Sequence, residues 1–206
     1  MMGAQDHLRY AGADPATHRA VFEQIVRGDD TLMDILRRAR DLALPDWRLV
    51  AGCLYQSVWN WLTGRPHGHG IKDYDLAYYD PRDLSWEAED KVIKRAAIVF
   101  SDLSAPVEVR NQARVHLWFE DHFGVPYPAL RSTEEGIDRY ACVAHKVGVR
   151  LEANDRLDLY APDGLGDIFR FVLRPNRVMD NAATHQAKAA RVTRLWPELT
   201  VERWAC

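Results

Sequence analysis

The chain has 206 residues, 47% hydrophobic and 28% charged, with a net charge of −3. That mix supports an ordered globular domain with a sizeable core and excludes a largely disordered chain. No run of eighteen apolar residues, no basic-then-apolar leader and no basic tail is present, so neither a membrane span, nor a secretory signal, nor nonspecific nucleic-acid binding as the main role is expected. The three cysteines, Cys53, Cys142 and Cys206, are far apart and lack CxxC spacing, which predicts reduced thiols in a cytoplasmic protein.

In chain order, Asp14-Pro15 predicts a capped helix start, with Val21/Ile25 and Phe22/Val26 as apolar pairs one turn apart. A second helix is predicted from about Asp30, with Leu32, Ile35, Leu36 and Ala39 on one stripe and an end at Leu44-Pro45. Together they form an N-terminal helical extension, residues 1–44. The core follows over 45–177, and a C-terminal helix packs on it over 178–206. WRLVAG (47–52) reads as a short buried strand running into a glycine, and 54–62 as a helix. TGRPHGHG (63–70) reads as a partly exposed, flexible loop that can shape a substrate pocket or act as a lid. His67 and His69 alone fall short of a zinc set.

GIKDYDLAYYD (70–80) is predicted as a strand that Pro81 stops. Ser85 caps the next helix, whose first turn holds Glu87, Glu89 and Asp90. APVEVR (105–110) is the next strand. Asn111 can cap a helix to about Phe123, and Ser132 another to about Val143. Residues 147–151 and 157–160 read as a hairpin. Asp163 starts a helix to Leu173, and 180–195 is an alanine-rich helix. The order predicts an α/β (α+β) fold, a small mixed sheet with helices packed on it.

Residues i and i+2 of a strand share a face, so Asp73 and Asp75 project together, opposite Tyr74, Leu76 and Tyr78. Adjacent carboxylates raise each other's pKa unless a cation lies between them, and magnesium prefers such oxygen ligands. The ordinary alternative is a solvated strand with two unrelated aspartates. Three neighbours weigh against it: Gly52, which opens a helix whose backbone N–H groups suit a phosphate; Glu108, a lone carboxylate between valines; and their fixed order along the chain. Arg110 shares the strand face of Glu108 and can pair with a phosphate or with an active-site carboxylate. Trp59, Trp61, Tyr78 and Tyr79 read as core before they read as base-stacking groups, and His116 as a packed, hydrogen-bonded histidine.

Gly52-Cys53, Asp73-Tyr74-Asp75-Leu76 and Glu108 together resemble the motif series of the polymerase-beta-like nucleotidyltransferase superfamily. LVAGCLYQSVWN, GIKDYDLAYYD, VEVRNQARVHLWF and DGLGDIFRFVLRPN resemble, more narrowly, a group of bacterial nucleotidyltransferase-family proteins, over roughly residues 45–177. The resemblance implies transfer of an NMP from an NTP to an acceptor, with Mg²⁺ or Mn²⁺ as cofactor. It implies a two-metal site in which Asp73 and Asp75 hold both ions, about 3.5–4 Å apart, with Glu108 near the attacking hydroxyl. Gly52, Cys53 and Arg110 would contact the nucleotide. Cys53 stands where the superfamily has serine or glycine, which leaves a backbone contact there and favours, as the alternative, an inactive nucleotide-binding or interaction module.

Overall fold

The structure, a computed structural model, describes residues 6–204; Cys206 and the first residues of the chain lie outside them. After a 3-10 turn, Pro15–Arg27 forms α1 and Asp30–Asp41 forms α2. Asp14 caps α1 through the Ala16 and Thr17 amides, both at 2.9 Å, and Asp29 caps α2 through those of Thr31 and Leu32. The two helices put Phe22, Val26, Leu32, Ile35 and Leu36 into a core that continues without a break to Trp196 and Leu199.

β1 (Arg48–Val50) runs into α3 (Gly52–Thr63), then β2 (Tyr74–Tyr78), α4 (Trp86–Val99) and β3 (Val107–Asn111). α5 (Phe119–Phe123), α6 (Thr133–Ile137), β4 (Gly148–Leu151) and β5 (Leu157–Tyr160) follow, then α7 (Gly166–Phe169), β6 (Val172–Leu173), α8 (Ala182–Leu195) and β7 (Thr200–Val201). The main sheet is mixed, in the order β3-β2-β1-β4-β5. Its one parallel pair, β2–β3, is joined through α4, the kind of crossover that parallel neighbours require. The β4–β5 hairpin forms as predicted, while β6 and β7 make a separate parallel pair.

The two faces of the sheet differ in kind. Leu49, Tyr74, Leu76, Tyr78, Val109, Val149 and Leu157 face the main core against α3, a helix buried almost all round by Leu54, Val58, Trp59 and Leu62. The alternate residues, Arg48, Asp75, Glu108, Arg110 and Asp158 among them, lie on the other face beside a small apolar cluster of Val50, Ala77 and Ile137.

Three predicted helices are shorter than their patterns suggest. Residues 111–123 split into a 3-10 helix, Gln112–Leu117, and α5, because Trp118 leaves helical dihedrals at φ −134°. The helix capped by Ser132 ends at Ile137. Beyond it the Asn176 amide donates to the carbonyls of Asp138 (2.7 Å) and Tyr140 (2.8 Å), and the Asn181 amide to that of Arg139 (3.1 Å), holding the chain out of the helix. The helix predicted over 163–173 is only α7, stopped by Phe171 at φ 55°. Asp163 does not cap it but pairs with Lys146 at 2.6 Å, and Asp167 is buried between Arg170 and Arg174.

Candidate active site

The site begins at a strained turn. Ala51, between β1 and α3, sits at φ 51°, ψ −108°, where a side chain costs about 1–3 kcal/mol. The kink turns α3 back beneath the sheet and leaves the N–H groups of Gly52 and Cys53 without a protein acceptor among the described residues. Gly52 itself has an ordinary φ, and a Cβ there would make only normal contact with Gln56. The Cys53 thiol is buried, donates to the Val50 carbonyl, and is pushed well above its ordinary pKa by burial. Its backbone amide is the part left to meet a ligand.

β2 begins at Tyr74, whose N–H donates to the Pro106 carbonyl at 2.9 Å, so Asp73 lies one residue before the strand rather than in it. Asp75 and Glu108 are direct partners in the parallel ladder, and Ala77 pairs with Arg110. The far end of the ladder is locked by Asn111, whose side chain accepts from the Asp80 amide (3.0 Å) and donates to the Asp80 carbonyl (2.9 Å). The Asn111 amide in turn donates to Glu89 of α4 at 2.7 Å, and Glu89 is ion-paired with Arg114. Glu89 is therefore a buried anchor for β3 rather than only a first-turn charge.

Above this face lies a cavity of about 250 Å³. Asp75, Glu108 and Arg110 line it, as do Val50 and Ala51; Asp73 does not. Burial, then the charges of Asp73 and Glu108, push Asp75 up to about 6, against a downward pull from Lys188 of α8. Neither Asp73 nor Asp75 accepts a hydrogen bond from a described residue, and Glu108 receives one 3.5 Å contact from Arg110. Arg110 thus takes the carboxylate of its two predicted partners, weakly and half exposed.

Other predicted candidates sit elsewhere. Trp59 is fully buried with its indole N–H on the Ile168 carbonyl, Tyr78 is core, Trp61 packs on Tyr10, and Tyr79 donates to the Leu130 carbonyl. His116 is packed, but its Nδ1 is buried without a partner. The 63–70 loop is pinned away from the cavity: Arg65 pairs with Glu198 at 2.9 Å, His67 with Asp29 at 3.1 Å, and the His69 carbonyl accepts from Asn60. Its residues line a different, smaller hollow against α1.

The sequence pattern did not single out the remaining walls. Trp118, Phe119, Phe123 and Tyr127 form one, with the Phe119 ring 4.4 Å from Tyr127 and 4.6 Å from Phe123. Arg139, Tyr140 and His145 form another, and Asn181 with Thr184 and Lys188 of α8 a third. An i, i+3, i+4, i+7 polar stripe at 181, 184, 185 and 188 was the available signal for the last.

A nucleotidyltransferase family model matches residues 37–201. The chain belongs to this nucleotidyltransferase family. Among solved structures, one determined by NMR and described as revealing a CCA-adding enzyme head domain is similar over 88% of this chain and 96% of its own, at 27% identity and a TM-score of 0.71. A search of curated proteins finds no match. In a nucleotidyltransferase the unbonded, mutually repelling carboxylates of Asp73 and Asp75 suit a hard cation by donor chemistry. No group of three or more His, Cys, Asp or Glu is arranged to hold a metal ion among the described residues, so protein donors alone do not fill a coordination shell.

Proposed function

We propose that the chain transfers a nucleoside monophosphate from an NTP to an acceptor hydroxyl, releasing pyrophosphate, with Mg²⁺ or Mn²⁺ as cofactor. The observation that carries this reading is the Asp75–Glu108 ladder pair at the floor of a cavity, beside free backbone N–H groups where β1 turns into α3. Asp75 with Asp73 would hold the cation, which when bound supplies charge neutralisation at the α-phosphate and the leaving group. The Gly52 and Cys53 amides would bind a phosphate oxygen, as unpaired N–H groups at a helix start do. Glu108, on the edge strand and exposed, orients the acceptor hydroxyl and can receive its proton. The hydroxyl oxygen bonds to the α-phosphorus, the bond from that phosphorus to the bridging oxygen breaks, and pyrophosphate departs. Arg110, 3.5 Å from Glu108, would aim that carboxylate along the strand face. Most of the rate would come from positioning and charge stabilisation.

The decisive assay mixes the protein with Mg²⁺ or Mn²⁺, each of the four NTPs and both polynucleotide and small-molecule acceptors, and follows pyrophosphate. Release that depends on acceptor supports transfer. The Cys53 thiol, buried and turned to the Val50 carbonyl where the superfamily has serine or glycine, favours one second reading, a nucleotide-binding module without turnover. NTP binding by calorimetry with no pyrophosphate from any mixture selects it; neither binding nor release refutes both.

A further inference from the structure

α8 carries polar residues where a packed helix ordinarily carries apolar ones. The N-cap Asn181 and Thr184, His185 and Lys188 of the helix fall at i, i+3, i+4 and i+7, one side of α8 that runs from buried to exposed. Asn181 and His185 are buried, and Asn181, Thr184 and Lys188 line the cavity over Asp75.

Buried polar groups are normally hydrogen-bonded. Here both ring nitrogens of His185 and Nε2 of His145 are buried without a partner. His145, 1% exposed, is itself part of the cavity wall, with its ring stacked 4.5 Å from Tyr55. Two cations on different walls of the cavity also lack a salt-bridge partner, although the Lys188 charge is felt at Asp75. Lys188 and Arg139 make no salt bridge among the described residues, whereas Arg110 pairs with Glu108; the Arg139 guanidinium lies over the Tyr127 ring at 5.9 Å. A cavity holding Asp75 and Glu108 alone would repel a polyanion. Two cations without salt-bridge partners in the same cavity, with unfilled hydrogen-bonding groups alongside, give it a place to bind one.

We propose that the cavity-lining side of α8 together with the Arg139–His145 wall that Asn181 ties to it is the oligophosphate-binding part of this site, where Lys188 and Arg139 take the β- and γ-phosphates of a nucleoside triphosphate and Thr184 and His145 hydrogen-bond to them. This rests on the NMP-transfer reading and assigns its leaving group to residues outside the motif series. Lys188 acts as a point charge and Arg139 as a fork, the two usual modes of phosphate recognition. The leaving pyrophosphate would then lie on the C-terminal helix, and the acceptor would approach from the β3 edge, where Glu108 stands.

Calorimetry in Mg²⁺ tests this with the four NTPs, inorganic tripolyphosphate and adenosine as probes, on the native chain, Lys188→Ala, Lys188→Arg and Thr184→Ala. Lys188→Ala is expected to weaken NTP and tripolyphosphate at least tenfold, to leave adenosine unchanged, and to be largely rescued in Lys188→Arg. The ligand-free melting temperature should not move, because Lys188 is exposed. Lys188→Ala binding tripolyphosphate within twofold of the native chain overturns the proposal while leaving NMP transfer standing, as does an equal loss for adenosine. A native chain that binds no NTP and no tripolyphosphate overturns both.

Discussion

Asp75 and Glu108 face each other across the parallel β2–β3 ladder, one on an inner strand and one on the edge strand, with the weak Arg110 contact to Glu108 the only cation pairing of either in the described residues. Their separation is set by strand spacing, about 4.8 Å between backbones. The main-chain hydrogen bonds therefore hold the two residues as neighbours, with both carboxyl groups on one face of the sheet.

Burial of Asp75 beside other carboxylates makes stability depend on pH. The folded Asp75 carboxyl is pushed up to about 6 from 3.8, by burial first and then by Asp73 and Glu108. Between these values the folded state binds more protons than the unfolded one, so this group's contribution to stability falls as pH rises through about 6. In EDTA, Asp75→Asn should melt higher than the native chain at pH 8 and converge with it near pH 4. The same variant should lose Mn²⁺ binding by calorimetry. A lower melting temperature at pH 8 would mean that Asp75 is a structural group.

Ala51 carries a conformation suited to glycine. Ala51→Gly should relieve the strain and stabilise the fold by about 1 kcal/mol, the relief being partly offset by chain entropy. Urea denaturation measures this. Nucleotide affinity should fall at the same time, because a looser turn presents the Gly52 and Cys53 amides less firmly.

Two glycines of the 63–70 loop should respond differently. Gly68 and Gly70 both have positive φ, at 75° and 73°, but a Cβ at Gly68 meets open space while one at Gly70 would overlap the buried Trp196 ring. Gly68→Ala should cost about 1–2 kcal/mol, the conformational penalty alone. Gly70→Ala should cost about 3 kcal/mol or more, since overpacking adds to it. Equal costs in thermal or urea unfolding would show that the loop is not packed on α8.

The aromatic wall invites a substitution that spares the core. Trp118 and Phe123 are 38% and 48% exposed, so Trp118→Ala should change the melting temperature little. Base–aromatic stacking is worth about 1–3 kcal/mol, so a flat ring bound on that wall should be weakened at least fivefold. Comparing KM for the nucleotide with KM for the acceptor in this variant tells which substrate uses the wall.

Alternation made the carboxylate face legible in the sequence. Asp75, Ala77, Glu108 and Arg110 do lie opposite Tyr74, Leu76, Tyr78 and Val109. The caps Asp14, Ser85 and Asn111 were legible too, because each acts within its own turn. Asp73 was drawn into the strand because its residue type fits the alternation, yet the first ladder bond forms at Tyr74. Lys188 and Arg139 were not legible as cavity residues. Their placement depends on where α8 docks and on the Asn176 and Asn181 amides that hold 138–140 out of a helix, both of which are long-range facts. Residues 111–123 read as one capped helix, and nothing local showed that Trp118, Phe119 and Phe123 line a cavity.

On the ribosome, Asp75 and Glu108 emerge well before α8 does. Until that helix settles on the finished sheet, a nascent chain shows two carboxylates with no lysine opposite them. Such an intermediate would turn polyanions away. The capacity to hold nucleotide would then be acquired late in synthesis, with the same docking event that completes the fold.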